Sequence, residues 1–235
     1  MDIIGKSIVN SVAKLLIIAA TFGAAIFVLF AQQTSNLNEE SIVKTLTSHY
    51  GERAGKRGRA WFRLMKGAAQ LTEIEQLTRV NRFFNLLYFT EDMTLWGEEN
   101  YWAKPIEFLG ANGGDCEDFA IAKYFTLLEL GIPDDKMRIT MVKAMTLDQY
   151  HMVVAYYDTP GSVPLILDNI NGKIEAANIR SDLLPVFSFN GKQLWLNKKK
   201  SQGVVAGKSH RLKRWADLNQ RIGIEDLKQP KLKME

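Results

Sequence analysis

The chain has 235 residues, 46% hydrophobic and 24% charged, with 30 Lys/Arg against 26 Asp/Glu for a formal net charge of +4. That composition suits one globular domain with appendages and excludes a disordered chain. A single cysteine excludes an intramolecular disulfide and a multi-cysteine metal site.

The charge is uneven. Residues 198–235 hold eleven Lys/Arg against four Asp/Glu, so the basicity belongs to the C-terminal segment. At the other end, Lys6 and Lys14 precede an apolar run from Leu15 to Ala31, and polar Gln32 to Asn36 follow. The run is short for a membrane span and slightly long for the apolar part of a signal peptide. Basic residues before it and Glu39-Glu40 after it direct the following domain out of the cytoplasm. Residues 1–31 therefore read as a signal peptide or an N-terminal membrane anchor, with 15–31 as the membrane-contacting stretch.

Residues 39–48 read as a short helix, with Ile42, Val43 and Leu46 at helical spacing. Basic residues from Arg53 to Arg59 lead into Trp61, Phe62, Leu64 and Met65. From Thr72 to Phe89 apolar residues recur at steps of three or four (Leu71, Ile74, Leu77, Val80, Phe83, Phe84, Leu87), which predicts one amphipathic helix. Residues 91–111 read as an aromatic loop that forms one wall of a cleft, with Trp96, Tyr101, Trp102 and Pro105. A helix starting at Cys116 is expected to stop at Gly131, with Pro133 preventing continuation.

The texture then becomes β-rich. Runs at 138–144, 151–157 and 163–168 are separated by turn chemistry, and Asn190-Gly191 predicts a hairpin between 186–189 and 193–196. Helices first and an antiparallel sheet after indicate an α+β fold.

Asn112-Gly113-Gly114-Asp115-Cys116-Glu117-Asp118 places the one thiol at a helix start, where unpaired N–H groups favour a thiolate and can receive an oxyanion. Its partners are expected downstream. If Asp158 to Gly161 form a four-residue loop, Tyr157 pairs with Ser162 and His151 lies directly opposite Asp168, on the same face of the sheet. A carboxylate there fixes the imidazole tautomer and leaves the other ring nitrogen for the thiol. Asp115, Glu117 and Asp118 oppose this by raising the thiol pKa. Two readings stay open for them: caps of the helix, or, with carbonyls near Asn112, ligands of a hard divalent cation such as calcium.

The segments 102–110, 113–125, 151–157, 165–169 and 183–196 resemble the bacterial transglutaminase-like cysteine proteinases, with the block Gly114-Asp-Cys-Glu-Asp-Phe-Ala120 the most specific. The resemblance covers about residues 60–197. It implies a papain/transglutaminase-like α+β fold with Cys116 as nucleophile, His151 as general base and acid, and Asp168 as its orienting residue. It also implies dependence on Ca2+, with Asp115 and Glu117 as ligands. The implied activity is a periplasmic endopeptidase that cuts a large surface adhesin near its N-terminus at a di-alanine site, which disperses biofilm. The implied partner is the periplasmic domain of an inner-membrane cyclic di-GMP receptor that sequesters the protease. Nucleic acid is not an expected partner of an exported chain.

Residues 38–197 are accordingly read as the protease domain and 198–235 as a basic helix and tail, with a helix expected within 208–222. The tail reads as a docked terminal helix with a frayed end, or as a contact for anionic phospholipid or an acidic partner. A transglutaminase-like acyltransferase and a non-catalytic module docking a membrane receptor are the competing functions.

Overall fold

A computed structural model of the protein describes residues 38–197 and 203–234. The segment read as leader or anchor lies outside the described residues. Among the described residues no helix is long and apolar enough to cross a membrane.

The helical half begins with α1 (Glu39–Tyr50), α2 (Glu52–Ala68) and α3 (Glu73–Phe84). Their starts follow from local chemistry. The Asn38 side chain caps α1 by accepting the Ser41 N–H at 3.0 Å, and Thr72 with Glu75 forms a reciprocal capping box on α3. Leu46, Leu77, Val80 and Phe84 are fully buried, each contributing about 1.5–3 kcal/mol of apolar transfer.

The helix expected over 72–89 ends at Phe84. Beyond it, Tyr88–Phe89 forms β1, parallel to β2 (Gly113–Gly114), with the Tyr88 N–H donating to Asn112 O and Thr90 N–H to Gly114 O. This long-range pairing takes the backbone that Leu87 would have continued as helix, and helical periodicity cannot register it. Ile74, counted in the apolar stripe, is exposed.

The aromatic stretch 91–111 is not a plain loop. It holds α4 (Asp92–Leu95) and α5 (Pro105–Ala111). Trp96 and Trp102 are buried rather than lining a cleft, and Trp102 stacks on Phe189 at 5.8 Å between ring centroids.

Then α6 (Cys116–Glu129) packs against the sheet. Gly131 follows it in the left-handed region at φ 91°, as a helix-terminating glycine does. The remaining strands are β3 (Met137–Ala144), β4 (Gln149–Tyr156), β5 (Leu165–Leu167), β6 (Glu175–Ala176), β7 (Leu183–Phe189), β8 (Gln193–Leu196) and β9 (Val204–Lys208). They form an antiparallel sheet in the order β6-β5-β4-β3-β7-β8-β9. The expected hairpin at Asn190-Gly191 joins β7 to β8. Last comes α7 (Lys213–Arg221), which seats Trp215 against Tyr124, Phe125 and Phe189.

Gly113 shows how tightly β1 and β2 approach. A Cβ built there would lie 2.1 Å from the Tyr88 carbonyl oxygen, a backbone atom with no rotamer to escape into. Gly113→Ala is expected to separate the two strands and cost about 1–3 kcal/mol, read as a lower midpoint in urea denaturation.

Candidate active site and acidic cluster

Cys116 opens α6. Asp115 before it has extended backbone and accepts the Glu117 N–H on Oδ1 at 3.3 Å, while Asp118 Oδ2 accepts the Asp115 N–H at 3.3 Å. The capping reading of these carboxylates is thus realised by Asp115 and Asp118 together. The half-buried Cys116 thiol donates to Glu117 Oε2 at 3.0 Å, and the backbone N–H of Met152 in β4 faces its sulfur. Burial, then the charges of Glu117 and Asp115, push the thiol well above its ordinary range, and the Met152 N–H pulls the other way.

Met152 is the neighbour of His151, so the cysteine sits beside the strand that carries the histidine. His151 and Asp168 are 2% and 1% exposed, and His151 Nε2 lies 2.8 Å from Asp168 Oδ1. With Nε2–H donated to the carboxylate, Nδ1 is left free of that bond. The strand register is not the expected one. Val154 pairs with Leu167 and Tyr156 with Leu165, a shift of two residues, because the connection between β4 and β5 is longer than a four-residue turn. A two-residue shift preserves the parity on which side-chain direction depends, whereas a one-residue shift would not.

Asp168 has partners that sequence reasoning missed. Arg180 donates from one terminal nitrogen to Asp168 Oδ2 at 2.8 Å and grips Asp182 through two further bonds of 3.0 and 2.8 Å. The Ile170 N–H reaches Asp168 Oδ1 at 2.9 Å, and Asn85 Nδ2 reaches the Asp168 carbonyl at 2.8 Å. Burial raises the Asp168 carboxyl, but the His151 hydrogen bond and charge and the Arg180 bond outweigh it, leaving it well below the usual carboxylate range. No spacing in the sequence marks Arg180, twelve residues past the aspartate on an irregular segment. Arg180→Met leaves a buried carboxylate short of a partner and is expected to cost on the order of 3 kcal/mol in urea denaturation.

Asp92 is the second omission. The carboxylate oxygens of Asp92, Asp115 and Asp118 come within 4.8 Å of one another, and so do ligand atoms of Asp115, Cys116 and Glu117. Asp92 Oδ2 accepts the Tyr101 N–H at 2.6 Å and Asp118 Oδ1 accepts the Ala103 N–H at 2.8 Å. Asp92 Oδ1 is buried with no hydrogen-bond partner. Burial and mutual repulsion push Asp115 up to about 11 and Asp92 up to about 6, and hold Asp118 well above the carboxylate range. Three carboxylates facing one another, Asp92 and Asp118 buried and Asp115 partly so, one with an orphaned oxygen, form an all-oxygen donor set that fits a hard divalent cation. Gly114 permits this approach, since a Cβ there would meet Asp118 Oδ2 at 2.1 Å. Asp92 lies more than twenty residues upstream on a helix of one turn, and only the fold brings it here.

The family model for bacterial transglutaminase-like cysteine proteinases matches residues 60–182, more than half of the chain. The chain belongs to the bacterial transglutaminase-like cysteine proteinases. Its α+β architecture, helices followed by an antiparallel sheet, is the papain/transglutaminase-like fold expected of that family. Solved structures agree. LapG of Legionella pneumophila after EGTA treatment is 43% identical, with a TM-score of 0.71 over 80% of this chain and 98% of that one. The calcium-bound form of the same Legionella protein is 42% identical, with a TM-score of 0.69 over 79% and 99% of the two chains. A search of curated proteins finds no match. This member of the cysteine proteinases therefore carries its lone thiol at a helix start, among carboxylates and beside a buried His–Asp pair.

Proposed function

We propose that the protein is a calcium-dependent cysteine endopeptidase of the periplasm. In this reading residues 38–197 carry the protease domain, residues 1–31 export or anchor it, and residues 198–235 add a basic helix and tail. The reading is carried by one observation: the buried His151–Asp168 hydrogen bond of 2.8 Å, on the strand whose next residue, Met152, turns its N–H towards the Cys116 sulfur.

His151, its Nε2–H held by Asp168, takes the Cys116 proton on Nδ1. The thiolate attacks the scissile carbonyl, and the N–H of Cys116 at the first turn of α6 offers itself to the oxyanion. As the C–N bond breaks, His151 returns the proton to the departing amine, and water then releases the acyl group from sulfur. Arg180 keeps Asp168 ionised, so that the imidazolium formed in between is matched by a fixed negative charge.

The carboxylates around the thiol work against the first of these steps. Asp115 and Glu117, with Asp92 and Asp118 behind them, would hold calcium, which when bound supplies positive charge that offsets theirs. The relative whose structure is titled calcium-bound supports this assignment. The family resemblance supplies the substrate, a large surface adhesin cut near its N-terminus at a di-alanine site with dispersal of biofilm. It also supplies the sequestering partner, the periplasmic domain of a cyclic di-GMP receptor.

Incubation of the protein with an adhesin N-terminal fragment tests the reading. Cleavage is expected with calcium, none with excess EGTA, and recovery when calcium is restored. Cleavage indifferent to both would remove the metal from the account. Transfer of the acyl group to an added amine in preference to water would make the protein an acyltransferase instead.

A further inference from the structure

The last residues of the chain touch every segment that supplies a carboxylate to the acidic cluster. The Lys231 N–H donates to the Leu95 carbonyl at 2.7 Å, at the end of the one-turn helix α4 that begins with Asp92. Thr90 Oγ1 donates to Met234 Sδ at 3.0 Å. Met234 packs on the buried cluster of Leu95, Trp96, Ala103 and Ala111, and its Cε lies 2.8 Å from where a Cβ on Gly113 would be, two residues before Asp115.

The stretch 101–107 is held from two sides. Its backbone N–H groups at Tyr101 and Ala103 bind Asp92 and Asp118. Its side chains bind the chain end. Lys104, 1% exposed, donates to the Glu225 and Asp226 carbonyls at 2.6 and 3.3 Å, and Glu107, fully buried, accepts the Lys228 N–H at 2.9 Å. Lys228 also pairs with Glu98 at 2.6 Å and lies over the Tyr101 ring at 4.2 Å. On the far side, Tyr50 donates to the Lys228 carbonyl at 2.8 Å.

We propose that residues 223–234 form a strap that positions the carboxylates of the calcium site, by gripping α4, Gly113 and the 101–107 stretch against one another. The inference rests on the calcium reading given above and adds to it a segment outside the protease domain as read from sequence. Three carboxylates that repel one another stay in place only if their supports resist being pushed apart. The N–H donors of Tyr101 and Ala103 are such supports, and the strap holds the backbone that carries them. Net charge does not explain the effect, since residues 223–235 contain three lysines against three acidic residues.

The test compares the full chain with one ending at Ile222, which keeps α7 whole. Calcium affinity is measured by titration calorimetry after chelator treatment, with the thermal midpoint without calcium taken alongside. The strap predicts at least about a tenfold weaker Kd in the shortened chain, partly restored by adding a peptide of residues 223–235. A lowered midpoint with calcium Kd within twofold of the full chain would mark the segment as merely structural and overturn the proposal. If the full chain itself takes up no calcium, the calcium reading fails and the strap with it. Should the shortened chain not fold, Met234→Ala and Lys104→Met carry the test. A severalfold weaker Kd in either supports the strap, and an unchanged Kd in both overturns it.

Discussion

Replacing Cys116 by alanine is expected to lower turnover of an adhesin fragment on the order of 10⁵-fold, with the fold and the affinity for a receptor domain unchanged. The size follows from the role. A nucleophile removed from a unit of nucleophile, base and orienting acid costs nearly as much as removing the whole unit. Folding should tolerate the change, because the half-buried thiol gives up only its bond to Glu117. Single-turnover cleavage with matched circular dichroism checks it. Undiminished cleavage by the alanine variant would remove the cysteine from the chemistry and overturn its role as nucleophile.

Asp115→Asn is expected to raise stability in chelator at pH 8 by on the order of 1–2 kcal/mol, or a few degrees in Tm, while abolishing the calcium-dependent rise in Tm. Asn caps a helix as well as Asp does, so the cap on Glu117 survives and only the repulsion is lost. The sign follows from the direction of the shifts. Asp92 and Asp115 titrate higher in the folded chain than in the unfolded one, so unfolded carboxyls ionise first as pH rises above about 4. Without calcium, stability therefore declines with rising pH, through about 6 for Asp92 and on towards about 11 for Asp115. Asp168 acts in the opposite sense: its depressed pKa adds stability above about pH 4 that is lost only in strong acid. Bound calcium should flatten the alkaline decline, since a ligand at a hundredfold excess over Kd adds about 2.7 kcal/mol. A Tm in chelator that rises between pH 5 and pH 8 would contradict the assignment.

Much of the site is local and was readable. Gly113-Gly114 before Asp115-Cys116 announces a tight turn into a helix, and the carboxylates beside the thiol announce its electrostatic difficulty. The His151 and Asp168 positions needed only a hairpin, whose pairing is set by nearby chain, and even there an assumed four-residue loop misplaced the register by two. What the sequence withheld depends on distant pairing. Asp92 enters the cluster because β1 pairs with β2, and residues 85–89, which lead into and form β1, read as five more residues of helix. Arg180 reaches Asp168 from an irregular segment with no pattern of its own. Trp96 and Trp102 suggested a cleft wall because an aromatic loop and an aromatic core have the same composition. The chain end, rich in lysine, resembled a frayed tail, yet buried Lys104 and Glu107 bind its backbone.

The lone thiol offers the most direct test of the central claim, that the carboxylates around Cys116 hold it unreactive until calcium offsets them. Its alkylation by iodoacetamide can be followed by mass spectrometry with no other cysteine to confuse the count. The rate at pH 7 is expected to be very low in EGTA and at least about tenfold higher with saturating calcium, because thiolate fraction sets reactivity. Equal rates in the two conditions would contradict it.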